Sequence, residues 1–407
     1  MIRSESCRVP DVPLRVNRTT KSLSTAFRLL VVMASAGLAV VIAGCGSSGP
    51  QQDAARFLET YARPDGRVVR LDQGGDTVSE GQAYGMLLAE VSGDSSAFGR
   101  IWTWTRNHLQ LRDHLFAFHA NAKGQVISTE PASDADLLIA WALLRYQGPH
   151  AAEWHRDGQQ VADAVLAREV TTGPNEMPVL VAGPWAVGQP ATIDPSYWSL
   201  AAYQGLAKWT RNHTWLRLEA GAVDLAREIT KNGKELPPDW ALLHVGDAPQ
   251  PEPSPNGDAA VAQYGLDAQR TVVWFAASCN PHARALAARW WRLLRPRTSA
   301  HALALSLGGA VLTATHAPLP LVAAAAAARA AGHSTESRQL LDEAAAQQRH
   351  FPTYYGGAWS ALGKALLTSD ALGPCLPARL TGQAYRPASP AGRRCLIAGM
   401  RTQLISR

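Results

Sequence analysis

Ser79-Glu80-Gly81-Gln82-Ala83-Tyr84-Gly85-Met86 puts a carboxylate at the mouth of an apolar helix that continues through Leu87 and Leu88. Ser79 is positioned to cap that helix. Glu80 falls in the first turn, where unpaired backbone N–H groups and the helix dipole favour negative charge. Taken alone, such a stretch is no more than a well-formed helix start. Two others share its design: Ala132-Ser133-Asp134-Ala135-Asp136 and Leu266-Asp267-Ala268-Gln269-Arg270 also set acids at the start of apolar helical runs.

Outward from these stretches, the chain reads as a rhythm of helices broken by short Gly, Pro and Asp segments. The pattern predicts helices over 53–62, 80–92, 95–110, 134–147, 153–169, 196–211, 215–231, 259–278, 281–294, 299–315, 319–331, 334–349 and 357–368. Strand-like runs are short: 67–71, 179–181 and 240–245. This composition of elements predicts an all-α architecture, a barrel or toroid of paired helices with a few short strands in loops. The Pro-rich stretch 233–257 is too long for an idle connection and is expected to be a functional loop or a surface excursion. The Ala-rich run 321–331 is too short to span a bilayer and is expected to pack inside.

The 407 residues are 46% hydrophobic and 18% charged, which suits a sizeable core. The formal net charge is +6, but Arg3, Arg8, Arg15, Arg18, Lys21 and Arg28 all lie in residues 1–44, against Glu5 and Asp11. That leaves about +2 for the remainder, with no basic stripe, so nucleic-acid binding is not inferred. After Arg28 comes an apolar run from Leu29 to Ala43, short for a membrane span and suited to a signal sequence. Its end, Val41-Ile42-Ala43-Gly44-Cys45, resembles a bacterial lipoprotein signal. That resemblance implies a signal peptide over 1–44, lipidation at Cys45, a flexible tether over 45–52 and an extracytoplasmic, membrane-anchored protein. Of the other cysteines, Cys375 and Cys395 could form a disulfide in an oxidising compartment, leaving Cys279 as a single buried thiol. No Cys/His spacing suggests a metal site.

Ser79–Met86 followed by Ala132–Leu143 (ASDADLLIAWAL) resembles glycoside hydrolase family 8, which includes bacterial endoglucanases. Asp194-Pro195-Ser196-Tyr197-Trp198 and Asp267-Ala268-Gln269-Arg270 resemble two further family segments in the right order. The resemblance spans about residues 53–370 as a catalytic domain, with 371–407 a tail packed on or beside it. It implies an (α/α)6 barrel of about twelve helices, an inverting reaction, Glu80 as general acid, Asp267 as general base and Asp134 as a third acid on the reacting sugar. Tyr197 and Arg270 match positions that contact substrate, with Tyr84 and Trp185 as further candidates. Leu266 stands where the family often has Tyr, Ala83 where it has Gly, and Phe118-His119 near where a sugar-stacking Trp is common.

Glycosidic cleavage needs a protonated carboxylic acid at the leaving oxygen and an ionised carboxylate opposite, about 6.5–9.5 Å away when water attacks directly. A helix N-terminus should hold the pKa of Glu80 down, whereas a general acid needs it raised; burial and Asp134 are expected to outweigh the dipole. Asp134 and Asp136 lie about 200° apart around a helix and cannot both face one cleft, so Ser133 or Asp136 is expected to be a cap. Trp102, Trp141 and Trp290 are expected in the core, and His119 could hydrogen-bond a sugar. The expectation is an endo-acting hydrolase of β-1,4-glucan, or of chitosan, xylan or mixed-linkage glucan, acting without cofactor and as a monomer. A glycan-binding lipoprotein without catalysis is the alternative.

Overall fold

In a computed structural model the described residues are 48–373, apart from 245, 256, 258 and the side chain of Asn175. They hold thirteen α-helices: α1 (Pro50–Tyr61), α2 (Ser79–Ser92), α3 (Ser95–His108), α4 (Ser133–Arg145), α5 (Ala151–Arg168), α6 (Leu200–Thr210), α7 (Thr214–Ile229), α8 (Leu266–Ala277), α9 (Pro281–Leu294), α10 (Arg297–His301), α11 (Pro318–Ala330), α12 (Ser334–His350) and α13 (Tyr354–Thr368). Six of them, α2, α4, α6, α8, α11 and α13, close a ring by successive contacts, and α1, α3, α5, α7, α9 and α12 pack outside it. This is the expected (α/α)6 barrel.

The division into two rings follows from side-chain patterning. Inner helices are apolar on nearly every face: in α11 the run Pro318–Ala328 is buried throughout, as is most of α4. Outer helices such as α7 and α9 carry one buried stripe and one solvated face. Small residues let the inner helices approach closely. A methyl group on Gly363 of α13 would run into Val322 of α11, and one on Gly81 of α2 would stand 2.5 Å from the Tyr354 hydroxyl. Tyr84, Trp141, Trp274 and Trp359, from four different inner helices, meet at ring-centroid separations of 5.6–6.5 Å, near perpendicular. Each such buried aromatic contributes a few kcal/mol of burial plus about 0.5–1.5 kcal/mol of edge-to-face contact. The ring closes where α13 meets α2, and beside that seam Lys364 Nζ of α13 lies 3.0 Å from Asp53 Oδ2 of the outer helix α1, both side chains largely buried.

Short antiparallel sheets decorate the loops. β1 (Thr77–Val78), β2 (His119–Ala120) and β3 (Val126–Ser128) form one, with Val78 opposite His119. β4 (Val170–Thr172) pairs with β5 (Pro178–Leu180), and β6 (Ala191–Ile193), β7 (Trp240–Leu243) and β8 (Gln250–Glu252) form a second three-stranded sheet. β9 (Ala304–Leu305) and β10 (Val311–Thr313) make a hairpin.

Several expectations change. The helix expected over 299–315 is instead the end of α10 and the β9–β10 hairpin, which turns at Gly308-Gly309 with Gly309 at φ 92°. Residues 259–265 are not helical, because Tyr264 pairs with Leu305 and α8 starts only at Leu266. Pro50–Gln52, expected in the tether, are the first turn of α1, since Pro suits the first helical position. Cys279 is exposed and disulfide-bonded rather than a buried single thiol. Cys45, Cys375, Cys395, the signal segment and nearly all of the tail lie outside the described residues.

Candidate active site

The three acids that begin apolar helices converge. Glu80, Asp134 and Asp267 occupy the first turns of α2, α4 and α8, three members of the inner ring. The group that joins them is Arg270, one turn further along α8 from Asp267. Its Nη1 donates to Asp134 Oδ2 at 2.8 Å and approaches Glu80 Oε2 at 3.4 Å. Its Nη2 donates to Asp267 Oδ1 at 2.9 Å and stands 3.7 Å from Asp194 Oδ2. Four carboxylates thus share one guanidinium, itself only 3% exposed. Arginine suits the task because its planar fork stays charged when buried.

Exposure separates the acids. Asp267 has 36% of its side chain exposed and Glu80 17%, against 4% for Asp134 and none for Asp194. Burial is the main force on Glu80, pushing its pKa up to about 7. Arg270 pulls it down, while the charges of Asp134 and Asp267 push it further up. Desolvation and like charges therefore defeat the helix dipole. Burial likewise raises Asp134, opposed by Arg270, and holds Asp194 well above the usual carboxylate range, with Asp267 adding to it. Glu80 is thereby poised to carry a proton near neutrality.

The remaining expected residues fall around this centre. Tyr197 ends a 3-10 turn (Pro195–Tyr197) and lies under the guanidinium, 5.4 Å from ring centroid to Arg270 Cζ. Tyr84 has no exposed surface: its hydroxyl donates to Glu80 Oε2 at 3.4 Å and accepts from Arg270 Nη1 at 3.1 Å, so it supports the carboxylates from below instead of offering a face to sugar. Trp185 is 45% exposed and its Nε1 donates to the carbonyl of Pro131, three residues before Asp134. Trp102, Trp141 and Trp290 are all core. Ser79 does not cap α2, whose N-cap is Val78; Ser79 N donates instead to the Phe118 carbonyl. Neither Ser133 nor Asp136 caps α4. Ser133 Oγ donates to the Val181 carbonyl, and Asp136 accepts from Phe116 N and lies beside buried Glu169, both carboxyls pushed well up by burial. His119 is held at 2.6 Å by Asp76, which also pairs with Arg70.

Asp194, Asp239 and Tyr355 also lie at or near this centre, and the sequence alone does not single them out. The signal available for Asp194 was its place in the Asp-Pro-Ser-Tyr-Trp segment. Tyr355 follows a Thr353 cap into the first turn of α13, beside Arg270 and Glu80, and burial raises its hydroxyl pKa.

The profile described as Glycosyl hydrolases family 8 matches residues 25–366. The chain belongs to glycoside hydrolase family 8. Within the family it is 31% identical over 236 residues to a probable endoglucanase of Novacetimonas hansenii, covering 52% of this chain and 66% of that one. It is 27% identical over 195 residues to an endoglucanase of Cellulomonas uda, covering 47% and 54%. The chain thus spans about half to two thirds of those relatives' lengths. Among solved structures, the endo-β-1,4-glucanase of Acetobacter xylinum superposes with a TM-score of 0.61 at 26% identity, over 78% of this chain and 97% of that one. A β-1,3-1,4-glucanase from Paenibacillus superposes at 0.69 with 17% identity over 78% and 90%, a likeness of fold alone.

Proposed function

We propose that this family 8 member is an endo-acting hydrolase of β-1,4-glucan that inverts the anomeric centre, with Glu80 as general acid and Asp267 as general base. The observation that carries the reading is the meeting of Glu80 and Asp267 on separate nitrogens of one guanidinium, the first protonated near neutrality and the second the most exposed acid of the group. Glu80 donates its proton to the leaving glycosidic oxygen while Asp267 takes a proton from the attacking water; the C–O bond to the leaving sugar breaks as the bond to water oxygen forms. Asp134, held by Arg270, binds the reacting sugar. Tyr197 and Trp185 supply aromatic faces for C–H surfaces of the polymer. Relatives named as endoglucanases favour glucan over chitosan or xylan. A lipid anchor at Cys45 in the cell envelope and a monomeric state belong to the same reading.

The test is reducing-sugar release from carboxymethyl cellulose by wild type, Glu80→Gln and Asp267→Asn, with the first anomer formed followed by NMR. Wild type should release product with inverted configuration and each variant should lose at least about 10³-fold in kcat. Binding of β-glucan by all three proteins with no release by any would replace catalysis with a recognition role.

A further inference from the structure

Helix α8 carries Asp267 in its first turn yet cannot cap itself, because its N-cap is Gly265, which has no side chain. The cap comes from 26 residues upstream. Asp239, 7% exposed and adjacent to strand β7, accepts from Gly265 N and from Ala268 N through the same Oδ1, each at 2.8 Å. Its Oδ2 accepts from Gln263 Nε2 at 3.2 Å, and its own N–H donates to the Gln263 carbonyl at 2.8 Å. The two helix N–H groups it holds lie on either side of the Leu266-Asp267 pair. One carboxylate oxygen therefore fixes where α8 begins, and with it the direction in which the Asp267 side chain leaves the backbone.

We propose that Asp239 is a positioning residue for Asp267, clamping the start of α8 so that the base carboxylate is held at its reacting distance from Glu80. The proposal rests on Asp267 being the base. Three features support a dedicated clamp. The site is built from both sides, since a methyl group on Gly265 would collide with Asp239 Oδ2. Partners fill the carboxylate on both oxygens, so it is not a spare surface acid. Asp239 also lies within electrostatic reach of Asp267, whose charge adds to burial in raising the Asp239 pKa to about 7. A base displaced by about 1 Å can cost a hundredfold in rate with little change in binding.

The experiment uses the full chain, with kcat and KM on carboxymethyl cellulose for Asp239→Ala, Asp239→Asn, Gly265→Ala and Asp267→Asn. Folding is checked by circular dichroism and rates are taken well below each melting temperature. Asp239→Ala should lose about a hundredfold in kcat with KM changed less than about threefold. Asp239→Asn keeps an acceptor for both helix N–H groups and should recover to within about tenfold of wild type. Gly265→Ala alters no ionisable group and should still lower kcat at least about tenfold at similar KM; it carries the test alone if Asp239→Ala does not fold. Folded Asp239→Ala or Gly265→Ala protein with wild-type kcat overturns the proposal, as does an Asn variant no better than Ala. Loss of activity in Asp267→Asn beside full activity in Asp239→Ala rejects the clamp alone. Full activity in Asp267→Asn rejects the base assignment and the clamp with it.

Discussion

Arg270 Nη1 sits 2.8 Å from Asp134 Oδ2, both groups almost wholly withdrawn from water. A buried pair of this kind is held less by its own attraction than by the cost of stripping one partner from the other. Here the cost is multiplied, since Glu80, Asp194 and Asp267 lean on the same guanidinium.

Arg270→Ala should therefore destabilise the protein by about 3–5 kcal/mol and abolish measurable hydrolysis. Arg270→Lys keeps the charge but not the fork and should be milder in stability, while still losing at least about a hundredfold in kcat. Chemical denaturation and initial rates read both effects.

Glu80 offers a pH test with a definite sign. Its folded pKa of about 7 lies above the ordinary carboxylate value of 4.5, so its contribution to stability is full below about pH 4.5 and is lost as pH rises through 7. Glu80→Gln should raise the melting temperature more at pH 8 than at pH 4.5, by no more than about 3 kcal/mol in equivalent free energy. In the active protein kcat/KM should fall above about pH 7. Asp134→Asn removes a charge that raises Glu80, so that limb should move to lower pH. An unmoved limb would reject the coupling.

Gly363 faces Val322 across the α11–α13 contact with no room for a methyl group. Gly363→Ala should cost about 1–3 kcal/mol by overpacking despite the better helix propensity of Ala. Thermal melting reads this, and a rise in melting temperature would show that the two helices can separate freely.

Trp185 is nearly half exposed and is tied to the rest of the protein through Pro131. Trp185→Ala should leave stability within about 0.5 kcal/mol and raise KM for long glucans several-fold at nearly unchanged kcat. A lowered kcat at constant KM would place Trp185 in the chemistry instead of in polymer binding.

The first-turn acids were legible because a carboxylate at a helix start leaves a local mark, and three such marks led to Glu80, Asp134 and Asp267. The helices were legible for the same reason: outer ones show a 3.6-residue stripe, and inner ones show long apolar runs. The surroundings of Asp239, Tyr355 and Tyr84 are not legible in the sequence, since each depends on partners far away in sequence or on which face of a helix turns inward. Asp239 reads locally as an acid after two prolines, and only the fold brings it to α8. The hairpin at 304–313 differs from the helix its sequence predicts because its apolar residues suit either period; Gly308-Gly309, flanked by them, is the turn signal. Ser133 and Asp136 read as caps because Ser and Asp usually are, yet burial gave their oxygens to neighbouring segments.

The ion pair between Lys364 and Asp53 joins the first and last of the described helices, and its consequence is one of timing. A ribosome delivers α1 and α2 long before α13, so Tyr84 emerges without the Trp359 ring it later packs on, and Glu80 without Tyr355 beside it. Translation must run nearly to the end of the domain before Glu80 acquires its full surroundings, and a chain halted short of Lys364 would leave α1 unlatched from α13.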